Sequence, residues 1–354
     1  MPVLSRRALV ASGAAAAVSG PVAWPAFDAG LPAALRYTGI NLAGGEFGAL
    51  PGVYGREYLF PSVDNARYYA RLGFNLVRLP FKWERLQPEL GGEFERGDRD
   101  RLVELVQSLT AQDLYVVIDP HNYAKRRLAD DKWGTENLIG SREVPSAAFA
   151  GFWGRLAGLF AGNGRVFLGL MNEPAGIGAE AWLEIANEAI AAIREAGARN
   201  LILVPGVAYT GAHSWLASGN AKMAGVRDPQ GHFVFELHQY FDRDSSGTRD
   251  EAVSSTIGSE RIRGFQAWAK TNGFKAFLGE FNGGRNATGL AALDDICREM
   301  ASHPDVWIGW AAWAGGPRWP PDDMFNLEPA GGVDPREQTR VLARFAQKGI
   351  AFSK

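Results

Sequence analysis

The chain has one cysteine, five histidines and five methionines among 354 residues. It also lacks an apolar run of the roughly 20 residues that a membrane-spanning helix needs. A lone Cys297 excludes an internal disulfide, and its setting, LAALDDICREM, is a helical pattern in which a buried thiol is the ordinary case. Neither an HExxH pair nor a Cys-rich spacing is present to mark a zinc site. Charge of one sign is missing too: 37 Lys and Arg stand against 39 Asp and Glu, a net charge of −2. With both signs interspersed there is no basic stripe to follow a phosphate backbone, so nucleic acid is not an expected partner. No Ser/Thr/Pro-rich linker interrupts the chain. A single domain is expected, without a separate module for holding a solid substrate.

What is present is a strict alternation. From about Leu31, short apolar runs of strand type alternate with amphipathic helical stretches, the pattern of a parallel sheet covered by helices. The spacing predicts strands at Tyr37–Leu42, Asn75–Pro80, Leu114–Asp119, Val166 onward, Leu201–Val204, Phe233–Leu237, Lys275–Asn282 and Trp307–Trp313. Helices are predicted over 63–72, 98–111, 147–160, 179–196, 259–271, 289–301 and 335–348, with a poorly marked one within 215–223. Eight such rounds imply an α/β fold of the (β/α)8 TIM barrel type, whose active site lies at the carboxyl ends of the strands.

Those ends carry the polar groups. Asn41, Arg78, His121, Asn122, Asn172, Glu173, His238, Tyr240, Glu280 and Trp313 all fall there, while the strand interiors read as apolar. The clearest case is VFLGLMNEP, where an apolar run ends on Asn172-Glu173 and is closed by Pro174. Two strand-end glutamates, Glu173 and Glu280, suit cleavage of a glycosidic bond: one carboxylic acid protonates the leaving oxygen while the other carboxylate attacks or stabilises the anomeric carbon. On this reading Glu173 donates the proton, Asn172 binds a neighbouring sugar hydroxyl, and Glu280 is the nucleophile, oriented by Arg78 and Tyr240. Taken singly, His121 and His238 also fit satisfied core histidines, and His with Glu can bind a metal. His213, His232 and His303 receive no role. Of the 11 Trp, over half are expected in the core and the others in loops, where an indole face stacks on a sugar. Trp313 is expected to do so near the cleavage point.

The N-terminal stretch, SRRALVASGAAAAVSG, sets Arg6-Arg7 ahead of a mild, Ala-rich apolar segment followed by Pro21 and Pro25. That is the layout of a twin-arginine export signal. The expected organisation is a signal over residues 1–30 and a catalytic domain over 31–354, exported to the periplasm or beyond, monomeric, and free of the membrane once the signal is removed.

The blocks RLPFKWERLQP, VIDPHNY, LGLMNEP, FELHQYFD, FLGEF and WIGWAAWAGG follow one another in the order found in glycoside hydrolase family 5, the cellulase family, which the chain resembles from about Tyr37 onward. HQYFDRDSSGT, with PGVAYTGAHSW before it, is similar to the subfamily of fungal and bacterial endo-β-1,4-glucanases. The resemblance implies Glu173 as acid/base, Glu280 as nucleophile, and Asn41, Arg78, His121, Asn122, Asn172, His238, Tyr240 and Trp313 around the sugar. It also implies a retaining double displacement without cofactor or metal, acting on cellulose or related soluble β-glucans. Mannan, xyloglucan and mixed-linkage β-glucan remain alternatives for the same chemistry, and a non-catalytic carbohydrate-binding barrel is an alternative of another class. Two departures stand out: the disulfides common in fungal relatives cannot form, and Gly279 precedes Glu280 where relatives often have Thr.

Overall fold

The computed structural model describes residues 31–131, 133–332 and 334–347. The expected export signal, with Arg6 and Arg7, lies outside the described residues, as does Lys348 at the end of the last expected helix. The chain runs β1 (Tyr37–Leu42), α1 (Val63–Arg71), β2 (Leu76–Phe81), α2 (Trp83–Leu86), α3 (Arg96–Thr110), β3 (Tyr115–Pro120), β4 (Lys125–Arg126), β5 (Asn137–Leu138) and α4 (Ser146–Phe160). It continues with β6 (Val166–Gly169), α5 (Ala179–Glu195), β7 (Ile202–Pro205), β8 (Phe233–Tyr240), α6 (Ile257–Asn272), β9 (Ala276–Asn282), α7 (Ala287–Ala301), β10 (Trp307–Gly315) and α8 (Glu337–Ala343). Eight parallel strands close into a barrel in the order β1-β10-β9-β8-β7-β6-β3-β2, and β4 and β5 form a separate antiparallel pair. This is the expected (β/α)8 barrel. No helix among the described residues is long and apolar enough to cross a membrane.

The weakly marked helix over 215–223 is a correction. That segment turns as far as Gly219 and then enters a 3-10 helix at Asn220–Gly225. Gly219, at φ +77°, sits in the left-handed region that an α-helix cannot pass through, and the buried Trp215 packs on Phe235 and Phe265 from within the turn. The fifth crossover therefore lacks an α-helix. The sequence pattern also gave no sign of the single-turn α2 or of the β4–β5 pair. Six tryptophans, Trp83, Trp153, Trp182, Trp215, Trp307 and Trp310, are fully buried, so the core reading holds for most of them.

Layers of inward side chains fill the barrel, as its geometry demands. Tyr37, Leu76, Val117, Phe167, Val234 and Phe277 form an apolar floor, with the Tyr37 and Phe167 rings edge to face at 5.0 Å. Side chains alternate along a strand, so the next inward residues are Gly39, Arg78, Asp119, Gly169, Glu236 and Gly279. That layer is ionic, and glycines make room for it. Between β8 and β9 the register then slips: Leu237 pairs with Leu278, but His238 pairs with Glu280. The extra residue is a bulge at Gly279, which brings Glu280 to the inside where regular alternation would have turned it out.

Candidate active site

Arg78 is the hub. It is fully buried on β2, and its Nη1 donates to Glu280 Oε1 at 3.0 Å and to Asn41 Oδ1 at 3.0 Å. Its Nη2 donates to Asn172 Oδ1 at 2.9 Å and its Nε to Glu236 Oε1 at 2.9 Å, while Asp119 Oδ2 lies 3.1 Å from Nη1. A planar guanidinium can serve several acceptors at fixed angles where an ammonium could not.

Above this hub the two expected glutamates face one another. Glu173 lies just past the end of β6 at φ +45°, a conformation that costs a non-glycine residue energy and is typical of functional positions. Its Oε1 is 2.6 Å from His238 Nδ1, and that nitrogen is 3.5 Å from Glu280 Oε2. Tyr240 donates its hydroxyl to Glu280 Oε2 at 3.2 Å. Ligand atoms of Glu173, His238 and Glu280, one from each, all lie within 4.8 Å of one another. Glu173, His238 and Tyr240 line a cleft of about 540 Å³ together with Tyr123, Tyr209, His213 and Ser246.

Burial penalises each charge here, and the neighbours decide the outcome. It lowers the affinity of His238 for its proton, but Glu280, Glu173 and Glu236 more than reverse this and push the imidazole up to about 10. Burial pushes the Glu280 carboxyl above the ordinary range, against the pull of His238 and Arg78. Asp119 goes the other way: its burial is outweighed by Arg78 and His121, and its carboxyl is held low. Burial, with Glu280 and Glu173 close by, pushes the Tyr240 phenol well up and keeps it a donor. By distance Glu173, His238 and Glu280 could hold a cation. However, His238 Nδ1 is already engaged with Glu173, and Arg78 and the imidazolium set two positive charges against these carboxylates, which opposes a third.

The other expected residues divide. Asn172 leaves its buried Nδ2 without a protein partner. His121, held through Nδ1 by Asp119 at 2.8 Å, lies parallel to the Trp313 ring at 5.5 Å. Asn41 and Asn122 have their amides engaged within the protein. Asn41 Nδ2 donates to the carbonyls of Gly279, Ala311 and Ala312 and its Oδ1 accepts from Arg78, so the amide is used up inside the barrel. The Asn122 amide faces α2, accepting from Trp83 N at 2.9 Å and donating to Glu84 Oε2 at 2.7 Å.

Sequence reasoning missed Asp119, Glu236, Tyr123 and His213. Glu236 was findable: in FELHQY, Glu236, His238 and Tyr240 recur at a spacing of two and must share a face. His213 and Tyr123 come from loops, where no periodicity places a side chain.

A closed parallel barrel with two opposed carboxylates at its carboxyl-end mouth, clamped by Arg, His and Tyr, defines a glycoside hydrolase. Residues 35–316 match the cellulase family, glycosyl hydrolase family 5. Endoglucanase gh5-1 of Neurospora crassa is 38% identical over 302 residues, which span 84% of this chain and 74% of that protein. Endo-beta-1,4-glucanase A of Emericella nidulans is 38% identical over 313 residues, 87% of this chain and 92% of its own. Among solved structures, XacCel5A in complex with cellopentaose aligns with a TM-score of 0.84 at 40% identity, covering 88% of this chain and 99% of that one. The chain belongs to glycosyl hydrolase family 5.

Proposed function

We propose that the protein is an exported endo-β-1,4-glucanase that cleaves cellulose chains and related soluble β-glucans with retention of anomeric configuration. The carrying observation is the closeness of Glu173 and Glu280, each offering an oxygen within 4.8 Å of the other's. Carboxyl groups about 5–5.5 Å apart leave no space for a water between one of them and the sugar, so the carboxylate itself attacks. Glu280 is the nucleophile: Arg78 and Tyr240 both donate to it, and two donors favour the ionised form in spite of burial. Glu173, the more open of the two at 15% side-chain exposure against 5%, is the acid/base. It protonates the departing glycosidic oxygen as Glu280 bonds to the anomeric carbon, then takes a proton from the water that hydrolyses the ester. The free Asn172 amide donates to the hydroxyl next to the reacting carbon, and Trp313 stacks on the ring. The similarity to enzymes named endo-β-1,4-glucanases, and to a structure holding cellopentaose, supports the β-1,4-glucan substrate.

Proton NMR of the first product released from a β-1,4-linked cello-oligosaccharide tests the mechanism, the β-anomer being expected and an initial α-anomer refuting it. Glu280→Ala loses about 10⁴-fold or more in turnover, in keeping with removal of a residue that acts in a concerted unit, and azide then yields a product of inverted configuration. Glu173→Ala keeps turnover of aryl glycosides with acidic leaving groups, and azide speeds it with retention. A covalent adduct trapped on any residue other than Glu280 would refute the assignment.

A further inference from the structure

Glu236 takes no part in the reaction described above, yet it is a carboxylate 1% exposed at the centre of the ionic layer, two residues before His238 on β8. Neutralising Arg78 does not explain it. Asp119 and Glu280 already stand 3.1 and 3.0 Å from that guanidinium. What Glu236 adds is direction. Its Oε1 takes the Nε hydrogen at 2.9 Å, the edge of the fork opposite the two nitrogens that serve the site. With Nε held, the plane of the guanidinium is fixed, and Nη1 and Nη2 point to Glu280 and Asn172.

Gly279 supplies a second, independent sign. A Cβ built there would lie 2.2 Å from Glu236 Oε1 and 2.9 Å from its Cδ and Cγ. Gly279 is also the bulge residue immediately before Glu280. The space that a side chain at 279 would need is filled by the end of Glu236, which arrives from the neighbouring strand.

We propose that Glu236 is a positioning residue for hydrolysis, locking Arg78 in the plane that presents one nitrogen to Glu280 and the other to Asn172, and that residue 279 is glycine because Glu236 occupies its side-chain space. The inference rests on the reading of Glu280 and Asn172 given above. Glu236 also faces His238, with Oε1 3.8 Å from Nε2. The other charged groups acting on that imidazole are Glu173 and Glu280, and Asp119 feels its charge in turn. Loss of the Glu236 charge therefore lowers the pKa of His238.

Four variants test this: Glu236→Gln, Glu236→Ala, Gly279→Ala and the double Glu236→Ala/Gly279→Ala. Hydrolysis of cellopentaose is measured with the melting temperature, and the His238 imidazole is titrated by NMR in the resting enzyme. Misplacing reacting groups by about 1 Å costs on the order of 100-fold, so Glu236→Ala loses about that factor in kcat, with KM within about threefold. Glu236→Gln keeps an acceptor for Nε, and loses about tenfold. Gly279→Ala falls as Glu236→Ala does, and the double variant is no worse than Glu236→Ala, because both changes break the same contact. In both Glu236 variants His238 titrates at lower pH. If Glu236→Ala does not fold, Glu236→Gln, which keeps the shape, decides with its rate and titration. Full kcat in folded Glu236 variants with unmoved His238 titration overturns the proposal, and so do losses that multiply in the double variant. A wrong nucleophile assignment would surface in the azide experiment on Glu280→Ala and would leave intact the downward shift of His238 in the Glu236 variants.

Discussion

His238 is an imidazole enclosed by three carboxylates, and its protonation carries stability as well as chemistry. Its pKa is raised from 6.5 to about 10 in the folded protein. The folded state thus binds this proton more tightly than the unfolded chain does. The contribution is fully present below pH 6.5 and is lost as pH rises from there through about 10. Melting temperature is expected to fall across that window by calorimetry, and His238→Asn is expected to flatten the fall. Equal slopes for the two proteins would refute the assignment. Glu280 acts in the same direction at lower pH, its carboxyl being pushed up by burial, and with Glu280 as the proposed nucleophile the acid limb of the rate is expected above the ordinary glutamate range.

At the scale of elements, Asn122 separates a structural amide from a sugar contact. It ties the end of β3 to α2 through Trp83 N and Glu84. Asn122→Ala leaves buried polar groups unpaired, which costs about 1–3 kcal/mol in urea denaturation, while kcat and KM of the folded enzyme stay close to wild type. A raised KM at unchanged stability would instead make Asn122 a substrate residue. Elements were legible in the sequence where they are apolar and regular. The eight barrel strands, buried on both faces, read directly as short hydrophobic runs, and α5 showed its buried stripe of Trp182, Ile185, Ala189 and Ile193. Their ends were less legible. β6 stops at Gly169, so Asn172 and Glu173 lie on the loop beyond it, whereas β8 runs on to Tyr240. Local pattern also failed over 215–223, where Trp215 is buried as in a helix but Gly219 breaks the backbone.

For the whole molecule, destination is the property to test. Twin-arginine export carries folded proteins, which suits a chain whose one thiol, Cys297, is buried and free. Replacing Arg6 and Arg7 by Lys is expected to leave the enzyme in the cytoplasm, measured as activity in the fractions of the producing cell. Undiminished export of wild type from a strain lacking the twin-arginine translocase would rule out the route.

Barrel, family and the two glutamates could be read from the chain alone, because a parallel barrel writes itself as repeated apolar runs and sets its chemistry where those runs end. Contact across the barrel could not. Arg78, Asp119, Glu236 and Glu280 come from four strands, and only closure of the sheet brings their charges together in a space from which water is excluded. Nor does any local pattern reveal that Gly279 forms a bulge, that the bulge turns Glu280 inward, or that Asn41 is used up by carbonyls of neighbouring strands. Residue type and spacing decided which groups are present. Register and layering decided which of them reach the mouth of the barrel and which lie in the ionic layer beneath, since hydrogen bonds and charge pairs depend on distances that closure of the sheet sets.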